Sequence, residues 1–403
     1  MFISKKKFRY PLYVFIVIAV LVGVNTYLNF VLPIKTLSYD STISVASSPK
    51  NITWPDFGQS AVGIVGQNDI ITHNQQTPSQ TASTAKLITI LSVLNVRPLK
   101  LGDSGPTITM TPSDIAIYNQ YVKEQGSVVQ IVLGEKLTEY QILEAMLLPS
   151  ANNLADALAI WAFGSLQNYS AYANNFLKIH GIDQTHVGKD ASGYDPSTVS
   201  TAADLVKIGE LAISNPVIAQ IALTKQVTNF PVINGFNNLN FLIGQNGIIG
   251  LKTGNTDQAG GVFVSASIKN LNGRKVTIVT AVMKAKNLIE ALNSSASLIA
   301  SVQNSFTKQT LISSNQNITK LSLPWGQKVN IRLKNNLIGY SWISDYQKLF
   351  ININPIKINT NSNQVIGNVS LKKDLYNNFT TENLYLNSSI HPPLKWLLFH
   401  INY

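Results

Sequence analysis

The hydrophobic pattern changes character several times along the chain. Residues 11–32 form an almost unbroken apolar run (YVFIVIAVLVGV, then YLNFVL), long enough as a helix to cross a hydrocarbon core about 30 Å thick. Lys5, Lys6, Lys7 and Arg9 lie on its N-terminal side, so the positive-inside rule leaves residues 1–10 as a cytoplasmic tail and exports everything after the span. The run outlasts a signal-peptide core, and Ser44-Val45-Ala46, the nearest small-x-small site, lies well beyond it, which favours an uncleaved transmembrane anchor. The segment that follows, 33–54, is read as a linker: Ser41 to Ser47 is polar and patternless, and Pro49 follows.

From residue 55 the periodicity becomes that of a folded domain. Ser60 to Val65 and Asp69 to Thr72 flank Gly66-Gln67-Asn68 with β-branched and apolar residues, predicting a hairpin. Leu87, Ile88, Leu91 and Leu94 recur at helical spacing, so a helix starts at or beside Ser83 and stops at Arg97-Pro98. Thr138-Glu139-Tyr140-Gln141 is a capping box for a helix that ends at Pro149. Further helices are expected over 153–163, 203–214 and 288–302, and strands over 248–253, 262–267 and 275–282. Beyond residue 320 short alternating strands (KVNIRL, KLFINI, QVIGNVSL) are separated by Asn and Gly turns. The fold class is therefore α+β, an antiparallel sheet flanked by helices over 55–308, with a smaller all-β module over 320–390. The tail 391–403 ends in an apolar, Trp-containing stretch too short to span a membrane but suited to an interface.

Composition narrows the chemistry. Of 403 residues none is Cys, which removes thiol nucleophiles, disulfide frameworks and Cys-type zinc sites. The five His show no metal-binding spacing, and no metal or other cofactor is expected. The net charge of +11 raises nucleic acid as a partner, but an exported domain meets anionic surfaces such as lipid headgroups instead, so none is expected.

Three short motifs carry candidate chemistry. Ser83-Thr84-Ala85-Lys86 places a hydroxyl and an amine at i, i+3 on one face of a helix start, a nucleophile beside its base. The spacing alone is not diagnostic, because Ser4-Lys7, Ser47-Lys50, Ser305-Lys308 and Ser370-Lys373 share it and Ser is a common helix N-cap. Ser150-Ala151-Asn152 follows Pro149 in a corner between two helices, where side chains project into a cleft or, equally, cap the next helix. Lys252-Thr253-Gly254 ends a strand and is the only Lys-Ser/Thr-Gly in the chain. A cation and hydroxyl so placed hold a carboxylate while the glycine admits close approach, although a turn with an exposed lysine reads the same way.

Taken in this order, Ser-x-x-Lys, Ser-x-Asn and Lys-Thr-Gly resemble the motif set of the penicillin-binding proteins and serine β-lactamases. Within that superfamily the stretches 81–91, 133–159, 200–205, 238–240 and 248–267 are most similar to the low-molecular-mass D-alanyl-D-alanine carboxypeptidases. The likeness spans about 55–305 and fades in the β module. Two positions depart from the family's pattern, Asn255 after the Lys-Thr-Gly and Val199 before the Ser-Thr-Ala, and both bear on substrate preference. No Glu-x-x-Leu-Asn motif of class A β-lactamases is present.

The resemblance implies an enzyme of the bacterial cytoplasmic membrane with its catalytic domain outside, acting on peptidoglycan stem peptides and acylated by β-lactams. Ser83 would be the nucleophile and Lys86 its base, held neutral by burial and by the field of Lys252. Ser150 would relay the proton to the leaving amine. Asn152, Lys252, Thr253 and Gly254 would bind substrate, and the backbone N–H groups of Ser83 and Asn255 would form the oxyanion hole. The same residues would serve a D,D-endopeptidase cutting cross-links, and a membrane-tethered wall-binding module without catalysis is the reading from another class.

Overall fold

The computed structural model describes residues 9–29, 39–45, 52–67, 69–271, 273–314, 316–342, 345–372 and 381–396. The chain divides into two compact units, Lys50–Ser305 and a second made of Met1–Pro49 with Phe306–Tyr403.

The second unit begins with helix α1 (Arg9–Asn29) and strand β1 (Tyr39–Val45). Pro11–Asn25 is the apolar part of α1 whose side chains are described, and among the described residues no single helix is long and apolar enough to cross a membrane. The predicted span reached residue 32, and its last residues lie outside those described.

The Lys50–Ser305 unit opens on the predicted hairpin, β2 (Gln59–Ile64) and β3 (Ile70–His73), and continues through a 3₁₀ turn, Ala82–Ala85, into α2 (Lys86–Val96). Helices α3 (Pro112–Lys123), α4 (Glu139–Leu147), α5 (Asn152–Phe163), α6 (Leu166–Ile179), α7 (Ala202–Ser214) and α8 (Pro216–Leu223) follow. Long strands β4 (Ile248–Thr256), β5 (Gly260–Leu271) and β6 (Arg274–Ala285) precede the closing α9 (Leu288–Asn304). The five strands form one antiparallel sheet in the order β4-β5-β6-β2-β3.

Strand alternation decides how this sheet is covered. Along β5, Val262, Val264 and Ala266 join the core built with α2 and α4–α8, whereas Phe263 packs among Leu292 and Ile299 of α9. The sheet is thus clothed on both faces. Helix α2 is buried from Lys86 to Leu94, the mark of a central helix apolar all round. The capping box at α4 is formed: Gln141 N–H donates to Thr138 Oγ1 at 3.2 Å, and Thr138 N–H to Gln141 Oε1 at 2.9 Å.

The rest of the second unit is all-β, with β7 (Thr307–Ile312), β8 (Thr319–Ser322), β9 (Lys328–Leu333), β10 (Leu337–Ser341), β11 (Asp345–Ile353), β12 (Gly367–Lys372) and β13 (Thr381–Leu386). Six strands form a sheet in the order β1-β11-β12-β13-β9-β8, and β7 pairs with β10. Alternate residues Val329, Ile331 and Leu333 of β9 meet Leu384 and Leu386 of β13 in its core. Two boundaries are corrected. Tyr39–Val45, read as linker, is an edge strand antiparallel to β11, Tyr39 opposite Ile351, and the module begins at Phe306 rather than 320. In the tail, Trp396 sits edge-on to Trp325 with centroids 5.0 Å apart; residues 397–403 lie outside those described.

Candidate active site

The 3₁₀ turn carrying Ser83 forces the backbone into an unusual path. Ala82 has φ 46°, a left-handed value costly for a residue with a Cβ, and Thr81, at the N-cap, makes no side-chain capping bond. Ser83 is therefore not a helix cap. The α-helix proper begins at Lys86, which stands one turn on from Ser83 with Nζ 2.8 Å from Ser83 Oγ.

The corner before α5 is built in the same manner. Ser150 has φ 71°, and the helix is capped by Ala151, which has no side-chain bond to offer. This leaves Asn152 free of any capping role; its Oδ1 accepts from Lys86 Nζ at 2.7 Å, and Ser150 Oγ lies 3.5 Å from the same nitrogen. A fourth contact is the Ser192 carbonyl oxygen at 3.1 Å. The structure thus brings Ser83, Ser150 and Asn152 onto the amine of Lys86.

Strand β4 closes the other side. Gly254 runs against the Ser83 turn so tightly that a Cβ there would lie 3.0 Å from Ser83 N and 3.1 Å from Thr81 O. Lys252 and Thr253 are buried, and Lys252 Nζ donates to the Thr253 carbonyl at 2.9 Å. Asn255 is exposed at the end of the strand, opposite Gly261 of β5.

Burial dominates the electrostatics. Lys86 has no solvent exposure, and desolvation brings its pKa from 10.5 down to about 7 against the opposing pull of Asp190 and Asp156. The expected field of Lys252 on Lys86 is replaced by these two carboxylates, which act in the opposite sense. The repulsion is felt at Lys252, whose pKa is driven well below its usual value, first by burial and then by the charge of Lys86.

The motifs did not announce the group behind Lys86. Tyr121 of α3 donates to Asp156 Oδ2 at 2.8 Å, and Ala191 N–H donates to Asp156 Oδ1 at 2.8 Å. Burial and the neighbouring Asp190 push the Asp156 carboxyl up to about 7. Asp190 accepts from Gly193 N–H at 2.9 Å, Asp195 N–H at 2.8 Å and the Ser192 hydroxyl at 3.0 Å. One signal for Asp156 was present, since it stands four residues after Asn152 on α5 and so shares its face. Tyr121, Asp156, Asp190 and Asn255 also line a cleft of about 680 Å³. Among the described residues no cluster of His, Cys, Asp and Glu is arranged to hold a metal ion.

The chain is similar to several known proteins. The D-alanyl-D-alanine carboxypeptidase of Streptomyces sp. (strain K15) is 28% identical over 227 residues, covering 52% of this chain and 75% of its own. The D-alanyl-D-alanine carboxypeptidase DacB2 of Mycobacterium tuberculosis is 36% identical over 153 residues, 36% of this chain and 50% of that one. Among solved structures, the D-alanyl-D-alanine carboxypeptidase DacD from Francisella tularensis shares the fold over 87% of this chain and 98% of its own, with a TM-score of 0.57 at 18% identity. The family profile described as D-alanyl-D-alanine carboxypeptidase matches residues 64–287, more than half of the sequence, and the chain belongs to that family.

Proposed function

We propose that this member of the family is a serine-type D-alanyl-D-alanine carboxypeptidase in which Ser83, Lys86 and Ser150 carry the chemistry. The observation that carries the reading is the buried Lys86 amine 2.8 Å from the Ser83 hydroxyl. With a pKa lowered to about 7, a useful fraction of the amine is neutral at neutral pH and can take a proton.

In the proposed reaction the Ser83 hydroxyl gives its proton to Lys86 as Oγ attacks the carbonyl carbon of the penultimate D-alanine. The backbone N–H groups of Ser83 and Asn255 stabilise the developing oxyanion. The C–N bond then breaks, and the amine of the departing D-alanine takes a proton relayed from Lys86 through Ser150. Water attacks the resulting Ser83 ester, giving its proton to Lys86, which passes it to the departing Ser83 Oγ, so that both the serine and the neutral amine are restored. Lys252 and Thr253 hold the terminal carboxylate, whose negative charge draws the depressed Lys252 back towards its protonated form. Asn152 orients the peptide as well as the base. The basic residues before the apolar run of 11–32 support an N-terminal membrane anchor with the catalytic unit outside the cytoplasm. The substrates are peptidoglycan stem peptides, and β-lactams acylate Ser83 in their place.

The test is intact-mass measurement of the full chain after exposure to benzylpenicillin, beside Ser83→Ala. One adduct on the parent and none on the variant is expected; no adduct on folded parent overturns the reading. D-Alanine release from a pentapeptide, measured against cleavage of a cross-linked dimer, separates carboxypeptidase from endopeptidase.

A further inference from the structure

We propose that Asp190 is a positioning residue for the base: by gathering the 190–195 loop around its carboxylate it fixes the Ser192 carbonyl against Lys86 and turns the amine's lone pair onto Ser83. The inference rests on the role of Lys86 given above. It begins from the hydrogen-bond capacity of an amine. An ammonium has three N–H donors and no acceptor, but the neutral form that acts as a base has two donors and one lone pair. Lys86 Nζ has two close partners that can only accept, Asn152 Oδ1 at 2.7 Å and the Ser192 carbonyl at 3.1 Å. When both N–H groups are spent on these, the lone pair is left for the third close partner, the Ser83 hydroxyl at 2.8 Å. Without the Ser192 carbonyl one N–H would be free to turn towards Ser83, and the amine would donate where it must accept.

Asp190 holds that carbonyl in place. Its Oδ1 accepts from Gly193 N–H, and its Oδ2 from Asp195 N–H and the Ser192 hydroxyl, so one side chain ties down the residue bearing the carbonyl and the next turn of backbone. The loop is pinned on its other side through Ala191, whose N–H donates to Asp156 Oδ1 at 2.8 Å and whose carbonyl accepts from Thr89 Oγ1 at 2.6 Å. Gly193 allows this closeness: it has φ 73°, and a Cβ there would lie 2.2 Å from Ala82 O, beside the nucleophile. Asp190 also acts by its charge. The groups facing Lys86 are Asp190 on this loop, Asp156 on α5 and Lys252 on β4, with the phenols of Tyr121 on α3 and Tyr169 on α6 in the same buried network. Asp190 favours the protonated amine, so removing its charge lowers the pKa of Lys86.

The experiment measures the second-order rate of acylation by benzylpenicillin from pH 5 to 9 for the parent, Asp190→Asn and Asp190→Ala. Asp190→Asn keeps one acceptor but loses the charge, and its acid limb should move to lower pH. Asp190→Ala should show the same displacement and, with the carbonyl released, a high-pH plateau lower by about 10²-fold, the loss typical of a misplaced catalytic group. The limb reads the charge of Asp190 on Lys86, and the plateau of folded protein reads the placement of the Ser192 carbonyl, which a residue serving only the loop's stability would leave unchanged. An unmoved limb in Asp190→Asn overturns the proposal, as does a plateau within twofold of the parent in folded Asp190→Ala. If the parent itself is not acylated, the function assigned to Ser83 and Lys86 fails rather than this inference alone.

Discussion

Replacing Lys86 by Met tests whether the base is held neutral by burial, because the substitution keeps an unbranched side chain only one heavy atom shorter and removes its charge. The native amine titrates at about 7 and the free one at 10.5. The difference corresponds to at most about 5 kcal/mol at 1.36 kcal/mol per unit. Below pH 7 both states carry the proton and the native state bears the whole penalty. Between 7 and 10.5 the native state has lost the proton while the unfolded chain still holds it, so stability rises with pH; above 10.5 the penalty is gone. Lys86→Met lacks this slope. From pH 6 to pH 9 the parent should therefore gain about 3 kcal/mol relative to the variant. Stranding the Asn152 and Ser192 acceptors costs the variant about 1–3 kcal/mol each at every pH, an offset that leaves the slope intact. Hydrogen-exchange mass spectrometry of α2 peptides reports the unit that houses Lys86. The variant's relative stability should fall steadily from pH 6 to 9. Parallel profiles, differing in slope by less than about 1 kcal/mol across that range, would refute a depressed amine and with it the neutral-base mechanism.

Other outcomes follow from the same geometry. The acylation rate of the parent should rise with pH through a midpoint near 7, since Lys86 acts in its deprotonated form and its pKa is lowered to about 7; stopped-flow acylation across pH 5–9 checks the sign and position of the limb. Gly254→Ala places a Cβ 3.0 Å from both Ser83 N and Ala82 Cβ, pushing strand and turn apart, and should lower acylation about 10²-fold with little change in melting temperature. Gly193→Ala meets Ala82 O at 2.2 Å with φ 73°; it should cost stability, by about 1–3 kcal/mol for the backbone conformation alone, measured by thermal unfolding. Lys252→Met removes the cation proposed for the terminal carboxylate and should raise KM for a pentapeptide by about 10–100-fold, from about 1.5–3 kcal/mol for a charge-assisted bond, with a smaller change in kcat.

What the sequence made legible was chemistry stated locally. Ser83 and Lys86 are three residues apart, Thr138 and Gln141 form their capping box within one turn, and the β2–β3 hairpin closes across Gly66. The group behind Lys86 was hidden because Tyr121, Asp156 and Asp190 come from a helix, a second helix and a loop brought together only by the fold. Strand β1 was hidden for another reason. Tyr39–Val45 reads YDSTISV, polar enough to pass for linker, and its partner β11 lies some three hundred residues further on, so nothing local announces the antiparallel pairing. Helix α3 carried a signal that went unused, the Thr111-Pro112-Ser113-Asp114 capping box, formed with Asp114 N–H donating to Thr111 Oγ1 at 3.3 Å.

The ordinary structural readings of the motifs fail at the same places where the backbone is strained, and this links stability to function. A Ser or Asn at a helix start usually caps it, for about 1 kcal/mol. Here Thr81 and Ala151 stand at those ends without a side-chain capping bond, while Ser83 and Asn152 turn to Lys86. The residue before Ser83 and the residue two before Asn152, Ala82 and Ser150, both have positive φ, costing about 1–3 kcal/mol each. Lys86 and Lys252 are buried without an anionic hydrogen-bond partner among the contacts described. Each choice lowers the stability of the fold, and all converge around the Lys86 amine, Lys252 through its charge rather than through a hydrogen bond. Such convergence is expected where the surrounding core, here α2 packed on every side, is firm enough to hold an unfavourable arrangement in place. It follows that substitutions relieving strain or charge at this cluster should stabilise the catalytic unit and slow acylation together, whereas equivalent substitutions on the solvent face of α9 should do neither.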